Sequence, residues 1–187
     1  MKKITIIICS LILTIAQVYA GDCEHKVALF LSEPSNENYL ALTLNDSVED
    51  SDICWLDLKK DVHNLAKLYE HAKHGNEWAI KILIKHTSDL DGGELEDAYI
   101  ALGESIDNKP SILLLEFKEQ RMTKNQFTQA LVMLPLSFTD NEKGELAALK
   151  ARKRKIMSIK DAKLKQQKEL AIKVINIQIK QISEERH

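Results

Sequence analysis

The sequence predicts an all-α protein: antiparallel helix hairpins, with a short α-solenoid as their repeat form, a disulfide-tethered N-terminal arm and a long basic C-terminal helix. Three observations carry this reading. From Leu56 onward, apolar residues recur at three- and four-residue spacing, the signature of one-sided helices. Thr123 with Gln126, and Thr139 with Glu142, read as capping boxes in front of such runs. After Gly144 neither Gly nor Pro occurs, so the tail lacks the usual helix breakers.

The elements follow in order. Residues 1–20 read as a cleavable export signal: Lys2 and Lys3, then an uncharged apolar stretch from Ile4 to Ala16, then Val18 and Ala20 placed for a peptidase cut after Ala20. The stretch falls short of the ~20 apolar residues of a bilayer span, and no later segment approaches one. An exported chain, periplasmic or secreted, is therefore expected, with no integral membrane segment after processing.

Residues 21–56 form the N-terminal arm. Its short apolar runs, Val27–Ser32 and Tyr39–Leu44, suit strands or short helices equally. Cys23 and Cys54 survive signal removal as an isolated pair, which in an oxidising compartment is most simply a disulfide. Closing a loop of that length restricts the unfolded chain by roughly 3–4 kcal/mol. A reactive thiol or a metal ligand is the rival, but neither Cys has a Cys or His at metal spacing.

Residues 57–138 form the helical-hairpin body. One helix carries Leu56, Leu58, Val62, Leu65, Leu68, Tyr69 and Ala72 and stops at Gly75. A second holds Trp78, Ile82 and Leu83. A third, after the loop Asp91-Gly92-Gly93, holds Leu95, Ala98, Tyr99, Leu102 and Ile106. Pro110 suits the first turn of a fourth, running to Phe117. Thr123 opens a fifth, which Pro135 ends. Residues 139–187 are then one long helix, or two with a soft break near Ser158. A faint period of 32 relates Ala66, Ala98 and Ala130, and pairs Leu83 with Leu115. Such a period is what a solenoid of helix pairs requires.

Gly75-Asn76 with Trp78-Ala79, and Ala101-Leu102-Gly103 through Asn108-Lys109-Pro110, resemble small exported bacterial helical proteins with HEAT-like or TPR-like hairpins. The resemblance covers about residues 60–135 and brings no active site with it. In size, export signal and paired cysteines the chain also resembles periplasmic immunity proteins of type VI secretion toxins. That likeness, one of architecture, implies an inhibitor of an envelope-directed toxin.

Charge is unevenly spread. Residues 21–144 hold 12 Lys and Arg against 23 Asp and Glu, whereas residues 145–187 hold 12 against 5. The candidate partner surface is on that basic tail: Arg152, Lys153, Arg154 and Lys155, with the apolar stripe Ile172, Ile175, Ile179 and Ile182. The partner expected there is another protein or a second copy of the chain. Nucleic acid is disfavoured, since no aromatic residue for base stacking follows Phe138.

Catalytic signals are missing. His63, His71 and His74 are the best metal candidates, with His71 and His74 able to share a helix face, but an HExxH spacing and a fourth ligand are absent. A solvated helix end explains them more simply, so no metal and no cofactor are expected. Asp89 to Glu94 fails as a calcium loop, because the sixth position is Glu94 instead of Gly and the twelfth is Ile100 instead of Glu. Neither a nucleophile elbow nor a phosphate-cradling Gly loop occurs. The expectation is thus an exported protein-binding module and not an enzyme. The alternatives are a metal- or acid-dependent hydrolase of envelope polymers and an oligomerising envelope structural factor.

Overall fold

The computed structural model describes residues 23–43, 53–138 and 141–184. The expected export signal over residues 1–20 and the expected cap at Thr139 lie outside the described residues. Every regular element among the described residues is helical, and the chain divides into two compact units, Met1–Lys67 and Leu68–His187. The division falls inside a helix at Lys67, not at the arm boundary near residue 56. The residues past 139 fall within the second unit.

In the first unit, α1 (residues 23–32) and α2 (Asn36–Thr43) resolve the ambiguity of the arm in favour of helix. Cys23, Val27, Phe30 and Leu31 are buried at helical spacing, whereas Leu29 is 43% exposed. A strand would have put Val27, Leu29 and Leu31 on one face. Ser35 opens α2, its Oγ accepting from Asn38 N at 3.2 Å. Cys23 at the start of α1 is bonded to Cys54 at the start of α3 (Ile53–Lys60), with Cα atoms 4.9 Å apart, an ordinary disulfide span. The helix expected to run from Leu56 to Ala72 is two. Asp61 interrupts it, accepting His63 N on Oδ1 at 2.8 Å and Asn64 N on its carbonyl, as a short polar residue does when it starts a new helix. The second piece, α4 (Val62–Lys73), crosses the division between the units.

The second unit begins with the close of α4. Gly75 takes φ 79°, the left-handed position that ends a helix, and Asn76 N returns to His71 O. A side chain at Gly75 would also crowd Asn108 and Lys109. Asn76 then caps α5 (Glu77–His86), its Oδ1 accepting from Trp78 N and Ala79 N. The central helix, α6 (Gly92–Asn108), starts at the glycine pair expected to be a loop, with Asp91 as its N-cap. It packs against α5, α7 (Ile112–Lys118), α8 (Lys124–Val132) and α9 (Glu142–Met157). Pro110 lies two residues ahead of α7, just before its N-cap Ser111, rather than in its first turn. The Thr123–Gln126 capping box is present, and Gln126 Nε2 also donates to Thr87 Oγ1 at 2.6 Å, joining the start of α8 to the end of α5.

The tail is two helices. α9 stops at Met157 and α10 (Lys165–Glu184) runs back beside it, as the bond from Lys153 Nζ to Asn176 Oδ1 at 2.7 Å requires. The cap of α9 is Asn141, whose Oδ1 accepts from Gly144 N. Ser158 Oγ turns back to Lys155 O, Asp161 caps the next turn, and Lys168 Nζ covers the carbonyls of Met157 and Ile159. The gain is burial: Ala171, Ile175 and Ile182 are enclosed, which a straight helix would have left in water. The period of 32 is not reproduced in burial. Ala98 and Ala130 are enclosed but Ala66 is exposed, and Leu83 is buried where Leu115 is 40% exposed.

Candidate functional site

A concavity of the second unit is produced by the way α8 ends. Val132 closes the helix; Met133 is extended at ψ 133°, and Leu134 is kept out of helical geometry by Pro135. A 3-10 turn, Leu136–Phe138, follows before Asn141 restarts a helix. A run of apolar side chains is thereby held on an irregular segment, where no helix face can bury them together. α10 runs opposite and presents Val174 and Ile177 beside Gln178 and Gln181. The result is an open groove of about 590 Å³ with Glu96 of α6 and Glu145 of α9 on its rim. Leu136 is 75% exposed and Ile177 50% exposed in it.

Arg152 fixes the groove from behind. The side chain is buried, and Nη1 donates to the carbonyls of Ala130, Leu131 and Met133 at 3.3, 2.9 and 3.0 Å. These are orphan acceptors at the end of α8, so one guanidinium both caps the helix and holds the first residue of the apolar segment. Burial pulls the Arg152 pKa down to about 10, with Asp107 and Glu104 acting in the opposite sense; the group stays cationic at neutral pH. Gly103 makes room for this arrangement. A Cβ there would stand 2.6 Å from Ala130 O and 2.8 Å from Arg152 Nη2.

The residues singled out in the tail therefore separate. Arg152 is an internal tether and is not available to a partner, because it is buried with Nη1 spent on the converging carbonyls. Lys153 reaches Asn176, Lys155 Nζ donates to Asp107 O at 3.1 Å, and Arg154 is exposed. Ile175 and Ile182 are buried in the chain's own unit, with Ile172 and Ile179 half-buried. The stripe thus faces inward, and the neighbouring face, Val174 to Gln181, lines the groove. The segment from Met133 to Phe138 was missed by sequence reasoning. Its signal was legible: Leu-Pro-Leu-Ser-Phe puts large apolar residues next to a helix-ending proline.

The histidines do not assemble a site. His63 and His74 are exposed, and His74 Nδ1 sits 2.7 Å from the Glu70 carbonyl of its own helix. Among the described residues no group of three His, Cys, Asp or Glu has metal-binding geometry. A smaller hollow in the first unit is lined by Glu24, Asp57, Asp61 and Asn64; Asp57 is paired with Lys60 and Asp61 with the backbone of His63. Among the described residues no helix is long and apolar enough to cross a membrane. Compared with protein-family models, with curated proteins and with solved structures, the chain gives no significant match.

Proposed function

We propose that this chain is an exported protein-binding module that receives an apolar segment of a partner protein in the α8–α10 groove. The observation that carries the proposal is that Leu136 and Ile177, large side chains left in water, line the same groove. Burying what is still exposed of these two residues adds about 2–4 kcal/mol to an association, at ~1.5–3 kcal/mol for a side chain taken wholly out of water. The carboxylates of Glu96 and Glu145 favour a segment with basic residues flanking its apolar ones. Glutamines on the α10 side supply the polar rim typical of such sites.

Export, to the periplasm or beyond, is supported by the leader and by the Cys23–Cys54 bond, which suits an oxidising compartment. The specific form this reading takes is an immunity-type inhibitor of an envelope-directed toxin, supported by the size, the leader and the paired cysteines. The test uses the chain from Gly21 onward. A partner is captured from envelope extract, identified by mass and remixed in pure form. Hydrogen exchange should then show protection at residues 128–138 and 174–181. Leu136→Asp with Ile177→Asp should weaken the complex at least 100-fold while leaving the fold intact. A partner that binds wild type and double variant equally would sink the proposal, and a second copy of this chain as the only partner would turn it into self-association.

A further inference from the structure

We infer that the turn end of the α9–α10 hairpin is a docking surface for the headgroup layer of an anionic phospholipid membrane. Arg154, Lys155, Lys160, Lys163 and Lys165 are all exposed and lie within the last turn of α9, the connection and the first turn of α10. Between Lys153 and Lys168 the one carboxylate is Asp161, and its Oδ1 is engaged with Lys163 N at 2.8 Å. The carbonyl end of α9, which would repel anions, is covered by Lys168 Nζ, 2.6 Å from Met157 O and 2.8 Å from Ile159 O just beyond the helix. Asp107 is the acidic neighbour from α6, and Lys155 already rests on its carbonyl.

Three features favour a lipid layer over other polyanions. The cations are mostly exposed lysines, point charges without the fixed fork that a defined phosphate site favours. Met157 is 52% exposed among them, an unbranched apolar side chain placed to enter the headgroup boundary. Aromatic residues for base stacking are absent from this part of the sequence. Clusters of this size are what anionic leaflets attract, each cation strengthening adsorption about fivefold. Ile177 lies twelve residues beyond Lys165 on α10, or about 18 Å along the helix, so a docked tip leaves the groove free. The inference is independent of what occupies the groove.

The test is flotation of the chain from Gly21 onward, which keeps every described residue, with phosphatidylglycerol–phosphatidylcholine vesicles and with pure phosphatidylcholine. Binding to the anionic vesicles alone is expected, falling as salt is raised. K160Q/K163Q/K165Q should lower the partition coefficient on the order of 100-fold with unchanged circular dichroism. Ile177→Asp should leave it unaltered. Equal binding to neutral vesicles, no binding to anionic ones, or an unchanged triple variant would overturn the inference. So would tighter binding to a DNA duplex than to the vesicles at the same ionic strength.

Discussion

Arg152 and Gly103 act as one device at the end of α8. Removing the guanidinium takes the Arg152 donor from two buried carbonyls and one part-buried one, and unsatisfied buried acceptors carry most of their desolvation cost. Arg152→Met should therefore lower stability by about 2–4 kcal/mol, and Arg152→Lys should recover only part, since the lysine side chain ends one bond short of the Nη1 position and its ammonium is more strongly hydrated. Gly103→Ala forces a Cβ into the same space and should cost roughly 1–3 kcal/mol. The two changes share partners, so urea denaturation of the double mutant should show less than the sum. A strictly additive result would mean that the residues are not coupled. Gln120 offers the opposite sign. It holds φ 59° behind α7, where Arg121 N returns to Glu116 O in the usual left-handed closure. A non-glycine residue is strained there, so Gln120→Gly should raise stability by about 1 kcal/mol. An unchanged or lower denaturation midpoint would show that the Gln120 side chain contributes something the backbone argument omits.

At the scale of elements, α10 carries two faces with different duties. Ile175 is fully buried, and Ile177, two residues on, is half in water. Ile175→Ala should cost about 2–5 kcal/mol and expose the amides of α10 to exchange, while Ile177→Ala should stay within ~0.5 kcal/mol. Equal costs would mean that the groove face is packed in solution. The disulfide is the corresponding device in the first unit. It ties the first turn of α1 to the first turn of α3, and Cys54→Ser should cost about 2–5 kcal/mol. Thiol labelling of the denatured, unreduced chain from Gly21 should find no free sulfhydryl; two free thiols would contradict the bond.

For the second unit as a whole, charge and burial divide the work. The basic tail and the acidic helices before it suggest assembly by charge, yet α10 is held through Ala171, Ile175 and Ile182. Exposed pairs such as Lys180–Glu184 contribute near 0–1 kcal/mol and are screened further by salt. Raising sodium chloride into the molar range should thus shift stability by less than about 1 kcal/mol. A large loss would assign the tail's attachment to charge instead. The long-range field matters at the surface, in what approaches the tip and the groove rim.

Helix content, the Thr123–Gln126 cap and the cysteine pairing were determined by the sequence alone. The first two rest on contacts within a few residues, and the third needs only two cysteines and an oxidising compartment. The break at Asp61 and the fold-back after Ser158 were less legible, because a short polar residue can sit inside a helix or start one. Which apolar residues of the tail would be covered was settled only in the tertiary structure. Spacing shows that Ile172, Val174, Ile175, Ile177 and Ile182 are numerous enough to make a broad face, but not which part meets α8 and α9. The same holds for Arg152, which reads as a surface cation in a basic run and becomes an internal cap. Its partners are carbonyls 19 to 22 residues away, brought together by Gly103 and the end of α8. Periodicity is a local property of the chain; burial is decided by competition among distant faces for a limited interior, and that competition left Leu136 and Ile177 outside.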